Sequence, residues 1–338
     1  MSELVKNRSE ILFLYDVTDA NPNGDPVDEN KPRIDEETGV NIVTDVRLKR
    51  TIRDYLHDFK NCEILIREIE YETGIQDAKL RAEDFLYHKK ESEEKEKEKE
   101  KIEKIDKSKI TLQEMVKTIQ RNILEECIDV RLFGVTLPVT KGPREDSSIT
   151  YTGPVQFKFG RSLHKVDLTF IKGTGAFASE AGAQQKTFRE EYILPYSLIA
   201  FYGIVNENAA KETLLKDDDI TLLLEGIWVG TKNLISRSKA GQIPRLLIQV
   251  IYNENQNFHI GELDKRISRI SDKNDEAIRS VTDLKIDITN LIKALTEHKD
   301  KIKKIRFKVD ERISFVKDKQ DVKIESALGE FKAESLNF

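Results

Sequence analysis

Two short stretches set cations beside residues that can bring a backbone close to a partner. In Thr44–Phe59, Arg47, Lys49, Arg50 and Arg53 fall on one side of a helical wheel, while Leu48, Ile52, Tyr55, Leu56 and Phe59 form the opposite stripe. Thr44 is a good N-cap, and Asp45 places a negative charge at the positive end of the helix dipole. A helix with an apolar back and a basic front packs on a core and offers cations to an anion; an ordinary solvated face has the same pattern. The second stretch, Ser236–Arg245, carries Arg237, Lys239 and Arg245, with no acid between Gly226 and Arg245. Gly241 and Gln242 close its turn, and a glycine there lets the backbone approach a ligand. A surface hairpin or a helix C-cap would use the same residues.

The segment before the basic helix, 21–41, is dense in Pro, Gly, Asn and Asp. It reads as a long ordered loop, and such loops inside a compact domain are usually functional. Asp25, Asp28 and Asp35, with Asp19 just upstream, could bind a hard cation such as Mg²⁺. They serve equally well as turn formers and amide acceptors.

Composition limits what these stretches can serve. The chain has 338 residues, 38% hydrophobic and 35% charged, which supports a real core and requires either a highly solvated exterior or an inserted charged arm. A net charge of −5 argues against a uniformly basic binder but not against local basic strips, because charges act over about 8–10 Å in cell salt. Cys62 and Cys127 give no disulfide framework and fit a reducing compartment. The five histidines show no zinc spacing, so no metal or cofactor is expected. No apolar run is long enough to span a bilayer and MSELVKNRSE is not a signal peptide, so the expectation is a cytoplasmic protein without a membrane partner.

The elements that position the cations follow from periodicity. Glu10–Asp16 reads as a buried strand, and Cys62–Tyr71 alternates as a second one, so the basic helix sits in a β-α-β unit. Residues 75–127 hold a mixed-charge run and then an amphipathic helix with the stripe Leu112, Met115, Val116, Ile119, Ile123 and Cys127. Strands are expected at 156–159 and 167–171, and Tyr192–Val205 as a central strand with Pro195 at a bulge or strand start. Asp217–Ser236 opens on three Asp and reads as a helix; Arg245–Tyr252 follows as a strand, giving a second β-α-β unit. The tail adds a helix through Leu284, Ile288, Leu291, Ile292 and Leu295, and a strand at 304–309. Two β-α-β units point to an α+β fold with a ferredoxin-like sheet.

Asn21–Pro26 (NPNGDP), the Thr38–Gly39 pair, Thr44–Arg50 (TDVRLKR), Gly153–Gln156 (GPVQ) and Ser238–Gln242 (SKAGQ) occur in an order that resembles the crRNA-coating backbone subunit of the type I CRISPR surveillance complex, Cascade, in its I-B and I-C variants. The resemblance spans roughly Arg8–Tyr252 and fades in 76–109 and the tail. It implies an RRM-like palm (8–74 and 128–260), a helical insertion as fingers (75–127), a β-hairpin thumb (167–191), and a C-terminal helical extension completing the palm (261–338). It also implies the partners: guide crRNA, the target DNA strand paired to it, adjacent copies of the same chain, and the end-capping, large and small subunits. The RNA reads sequence by pairing while the protein holds its backbone.

Carried onto this chain, the resemblance assigns RNA contacts to Asn23, Thr44, Arg47, Lys49, Arg50, Arg53, Arg161, Lys165, Arg237, Lys239, Gly241, Gln242 and Arg245. Phe177, or Phe188, would be the thumb's wedge against a base, and His164 a hydrogen-bonded structural residue. The expected role is a scaffold, not an enzyme. Two alternatives stand beside it. Related type III subunits cleave target RNA with a metal and an Asp in this loop, where Asp25 lies here. A plain single-RRM binder would instead stack bases on aromatics, and Phe157-Lys158-Phe159-Gly160 does not match that signature.

Overall fold

An apolar run can lie in the middle of a sheet only if neighbours take up its backbone groups on both edges, and SEILFLYDV is buried throughout from Ser9 to Val17. The computed structural model describes residues 3–71, 74–90, 101–178 and 186–338. The mixed-charge run 91–100 lies outside the described residues. In chain order the main elements begin with β1 (Ser9–Ala20), β2 (Val40–Val43), α1 (Asp45–Lys60), α2 (Leu112–Glu126), β3 (Gly134–Gly142) and β4 (Glu145–Thr152). They continue with β5 (Gly160–Lys165), β6 (Thr169–Ala178), β7 (Lys186–Val205), α3 (Asp217–Glu225), β8 (Ile243–Tyr252), α4 (Thr289–Glu297), β9 (Ile302–Val309) and β10 (Ala333–Ser335). The protein is thus α+β. It divides into two compact units, one of Asn7–Ile52, Gln156–Val205 and Leu224–Phe338, the other of Met1–Lys6, Arg53–Val155 and Asn206–Leu223.

The first unit is built on one large sheet in the order β10-β9-β8-β1-β7-β5-β2. β1 runs antiparallel to both β7 and β8, with Phe13 opposite Phe201 on one side and Leu247 on the other. The strands β7 and β8 are therefore parallel to each other with β1 between them. β5 pairs antiparallel with β7 and with β2. The strand β7 is long; its second half joins this sheet, and its first half pairs with β6 from Ala178–Lys186 to Thr169–Ile193. Pro195 sits inside β7 rather than at its start, in the gap between the Ala20–Leu194 and Thr18–Tyr196 pairs. The core gathers Leu12, Leu14, Leu198 and Ile248 with Leu291, Leu295 and Phe307 from the tail. Glu10 is buried within the sheet and accepts hydrogen bonds from the hydroxyls of Tyr202 and Tyr252 and from the amides of Ile260 and Gly261.

The second unit is centred on α2, whose start is a capping box between Thr111 and Glu114. Met115, Ile119, Ile123 and Cys127 are buried in a cluster with Phe85, Leu137, Val139 and Ile149. The hairpin of β3 and β4 supplies the last three. Gly153 of the GPVQ motif has a packing reason: a Cβ there would lie 2.1 Å from the Phe133 carbonyl carbon.

Three expectations are corrected. Cys62–Tyr71 is not a strand in the sheet; Glu70–Tyr71 pairs with Gly74–Ile75, and Glu63 forms an isolated bridge with Cys127. Ile64 and Leu65 are buried, yet the amides of Leu65 and Ile66 donate to the Asp129 carboxylate at 2.8 and 3.1 Å instead of to a ladder. The first β-α-β unit therefore does not form there. Phe59, placed on the apolar stripe of α1, is 59% exposed and stacks on Tyr55 close to the end of the helix. The tail mixes α4, a one-turn helix at Ile324–Ala327 and short helical turns with strands, of which β9, at the strand expected for 304–309, and β10 extend the main sheet through antiparallel and parallel pairing. Leu284 lies before the start of α4, not on its stripe.

Candidate nucleic-acid interface

The amino end of α1 is held by two side chains. The Thr44 hydroxyl accepts from the Arg47 amide at 3.3 Å, which is the capping bond expected of it. Asn23, far back in the loop, accepts from both the Thr44 amide and the Thr44 hydroxyl through one oxygen, each at 2.9 Å. The loop is thus tied to the helix at the point where the dipole is positive. Such an end, with directed amides, is a ready anion site when cations stand beside it.

Two cations do. Arg47 is half-buried, donates to the Thr51 hydroxyl at 3.1 Å, and lies close enough to Lys239 to lower that lysine's proton affinity. Lys239 comes from the 236–241 turn. Its ammonium donates to the Asn21 carbonyl, and the Asn21 amide donates to the Ser238 carbonyl at 2.9 Å, so turn and loop are bonded in both directions. Burial, with the like charge of Arg47 adding to it, brings Lys239 down to about 8. Among the described residues no carboxylate partners Lys239. Gly241 adopts φ +93, and a Cβ there would stand 3.3 Å from the Thr18 carbonyl; the turn needs a glycine for its own shape. Gln242 beside it is 5% exposed, and its amide nitrogen has no partner among the described residues.

The remaining candidates divide. Lys49 is bound to Asp45 at 2.9 Å, and Arg50 is exposed on the helix. Arg161 is exposed and pairs with Asp35 at 3.1 Å, which holds that carboxyl below its ordinary value. Lys165 is exposed on β5, and Arg237 is exposed with a 3.3 Å contact to Glu191. Two candidates are committed elsewhere. Arg245 is 5% exposed and bonds Asp16 at 2.9 Å and also Asp310. Arg53 donates to the fully buried Asp129 at 3.0 Å and lies over the Phe133 ring. Both lost their place at the front because a carboxylate distant in sequence claims them. The side chains of Phe177 and Phe188 lie outside the described residues.

His164 is buried, accepts from the Leu198 amide at 3.3 Å and meets the Lys165 carbonyl at 2.7 Å. Burial lowers its pKa, so it is a neutral structural residue. Asp25 receives Arg33 at 2.7 Å and the Val27 amide at 3.0 Å, and Asp35 receives the amides of Glu37 and Thr38 besides Arg161. These acids do the work of turn formers. No group of three or more metal-ligating side chains occurs among the described residues. Nor does any helix among them have the length and apolarity to cross a membrane. The residue missed from sequence is Asn21, whose bonds to Ser238 and Lys239 join loop and turn; a second Asn two positions before Asn23 was the available signal.

Fold and site together define an α+β protein in which the amino end of α1 is braced by a loop and a glycine turn. The model of the family "CRISPR-associated protein Cas7" matches residues 7–289, and the chain belongs to that family. It is 32% identical over 326 residues to the CRISPR-associated protein Cas7 of Haloferax volcanii, covering 91% of this chain and 88% of that one. Two solved structures share the fold. A chain of a CRISPR RNA-guided surveillance complex, pre-nicking, aligns with a TM-score of 0.55 at 12% identity over 98% of this chain and 96% of the other. A chain of a CRISPR RNA-guided surveillance complex aligns with a TM-score of 0.51 at 13% identity over 98% and 95%.

Proposed function

We propose that this protein coats crRNA as the backbone subunit of a type I Cascade complex, holding ribose-phosphate so that the bases stay free to pair with a target DNA strand. The observation that carries the site assignment is the meeting of the α1 amino end, Arg47 and Lys239, bonded together through Asn23 and Asn21. Backbone amides and cations suit a sequence-independent grip on phosphate. Thr44, Arg47, Lys239 and Gly241 form the inner contact set, while Arg50, Arg161, Lys165 and Arg237 lie further out along the RNA path.

The palm is RRM-like in this reading. β1, β5, β7 and β8 stand in the order β8-β1-β7-β5 with parallel β7 and β8 split by β1, which supports two interleaved β-α-β units. The hairpin of β6 and the first half of β7 serves as the thumb, with Phe177 at its wedge, and 75–127 as the fingers. Copies of the chain meet head to tail in an open array, and other Cascade subunits close its ends. The role is that of a cytoplasmic scaffold, not a nuclease; Asp25's engagement with Arg33 and the Val27 amide favours this over metal-dependent cleavage.

Titrating single-stranded RNA of mixed sequence into the purified chain, with electron microscopy and sedimentation, tests the proposal. Regular strings on RNA are expected, as is crRNA copurifying with the protein. Particles free of nucleic acid that never form strings would refute it. Regularly spaced cuts in complementary RNA with Mg²⁺, abolished by Asp25→Ala, would replace scaffold by ribonuclease.

A further inference from the structure

Asn21 uses three of its four polar groups. Its amide donates to the Ser238 carbonyl at 2.9 Å, its carbonyl accepts from Lys239, and its side-chain nitrogen donates to the Asn30 carbonyl at 2.6 Å. These bonds fix the orientation of the carboxamide. The fourth group, Oδ1, has no partner among the described residues, although Asn21 is only 3% exposed. A buried acceptor left empty is expensive and calls for a donor from outside. Asn21 lines a groove of about 400 Å³ together with Asn30, Tyr192, Ser236, Arg237 and Ser238.

The charge of the groove says which donor. Glu29, Glu190 and Glu191 also line it, and they repel a phosphodiester. Phosphate is drawn instead to Lys239, which hangs on the backbone carbonyl of the same Asn21. One residue therefore has a phosphate-binding cation on its main chain and an empty acceptor on its side chain. A ribose carries its 2′-hydroxyl beside its phosphate, and that hydroxyl donates. Base edges donate too, but a protein that coats any sequence meets every base and only one kind of sugar. We propose that Asn21 is a specificity-determining residue whose Oδ1 accepts the ribose 2′-hydroxyl, so that this groove selects RNA over single-stranded DNA. The inference rests on the RNA-coating reading above and deepens it.

The test uses the full chain and one mixed-sequence oligonucleotide made as RNA, as 2′-deoxy and as 2′-fluoro, with affinity read by fluorescence anisotropy at fixed salt. The wild type should bind RNA about tenfold more tightly than either analogue, the loss of one hydrogen bond to an otherwise orphaned acceptor. Asn21→Ala, if it folds, should bind RNA only as well as the wild type binds the 2′-deoxy strand. The three wild-type titrations decide the matter even if the variant does not fold. Equal affinity for RNA and 2′-deoxy would overturn the proposal, leaving Oδ1 to an ordered water. Tight binding of the 2′-fluoro strand would overturn it by making sugar pucker the cause. A preference that changes with base composition would move the contact to a base edge. An Asn21→Ala loss equal on all three strands would reduce the residue to bracing the turn. Failure to bind any of them would instead sink the RNA-coating reading, and this inference with it.

Discussion

Arg47 and Arg53 share one helix and one sequence signature, yet they end in different places. Arg47 reaches the Thr51 hydroxyl and the neighbourhood of Lys239, whereas Arg53 is drawn onto Asp129 and over Phe133. Lys239 and Arg245 repeat the contrast: the first is held by a backbone carbonyl, the second by Asp16 and Asp310. What sets Arg53 and Arg245 in the frame is not their own charge but the arrival of a buried carboxylate from elsewhere in the chain. A cation met by a buried acid becomes part of the frame; one met by carbonyls and hydroxyls keeps its charge available for a ligand.

The largest effect that could break this comparison is on Arg245. Arg245→Ala leaves Asp16 buried beside the Tyr196 hydroxyl with its main counter-charge gone. Removing one partner of a buried pair costs about 3–5 kcal/mol of stability, read by urea denaturation. Arg53→Ala should cost less, because Asp129 still accepts the amides of Leu65 and Ile66. A stable Arg245→Ala protein whose RNA affinity depends less on salt would put Arg245 back among the contacts.

Next in size is Arg47→Ala. Losing one phosphate contact should lower the slope of log affinity against log salt by about 1. An unchanged slope would remove the α1 amino end from the interface.

These outcomes bear on how much could be read from the residues alone. The strand at Ser9–Ala20, the helices at Asp45–Lys60 and Leu112–Glu126 and the cap at Thr44 follow from local pattern, and the structure has them. Local pattern cannot see long-range partners. Arg53 and Asp129 are 76 positions apart, and Arg245 and Asp16 are 229 apart, so both arginines looked free. The same limit misled at Cys62–Tyr71, where alternation suggested a strand but a buried carboxylate takes two of the amides. It also hid β10, while β9 was legible as the strand at 304–309 but its place in the main sheet depends on β8 offering an edge. Asn21 went unread because its partners Ser238 and Lys239 lie far along the chain.

A smaller effect separates Lys239 from the framework cations by pH. Unfolded, a lysine keeps its proton to about 10.4; folded, Lys239 releases it near 8. Between those values the unfolded chain binds more protons, so this residue makes stability rise with pH across that window. RNA affinity moves the other way, since only the charged ammonium attracts phosphate, and it should weaken as pH climbs past about 8. Lys239→Arg stays charged throughout and should flatten that loss. A wild-type affinity constant from pH 7 to 9 would mean the lysine is not at the phosphate.

The smallest expected effect tests the outer edge of the site. Arg237 has a 68% exposed side chain and a 3.3 Å contact to Glu191, so solvent and salt already weaken its field. Arg237→Ala should leave the melting temperature unchanged and reduce the salt slope by less than Arg47→Ala does, measured on the same RNA. Its removal also takes one positive charge from the groove that Asn21 lines, and the net charge left there repels the phosphates on either side of the ribose more strongly. RNA and DNA would feel that repulsion alike. A fall in affinity shared by both strands therefore marks Arg237 as a charge balance for the groove, while a change in their ratio would mean that the guanidinium itself touches the sugar.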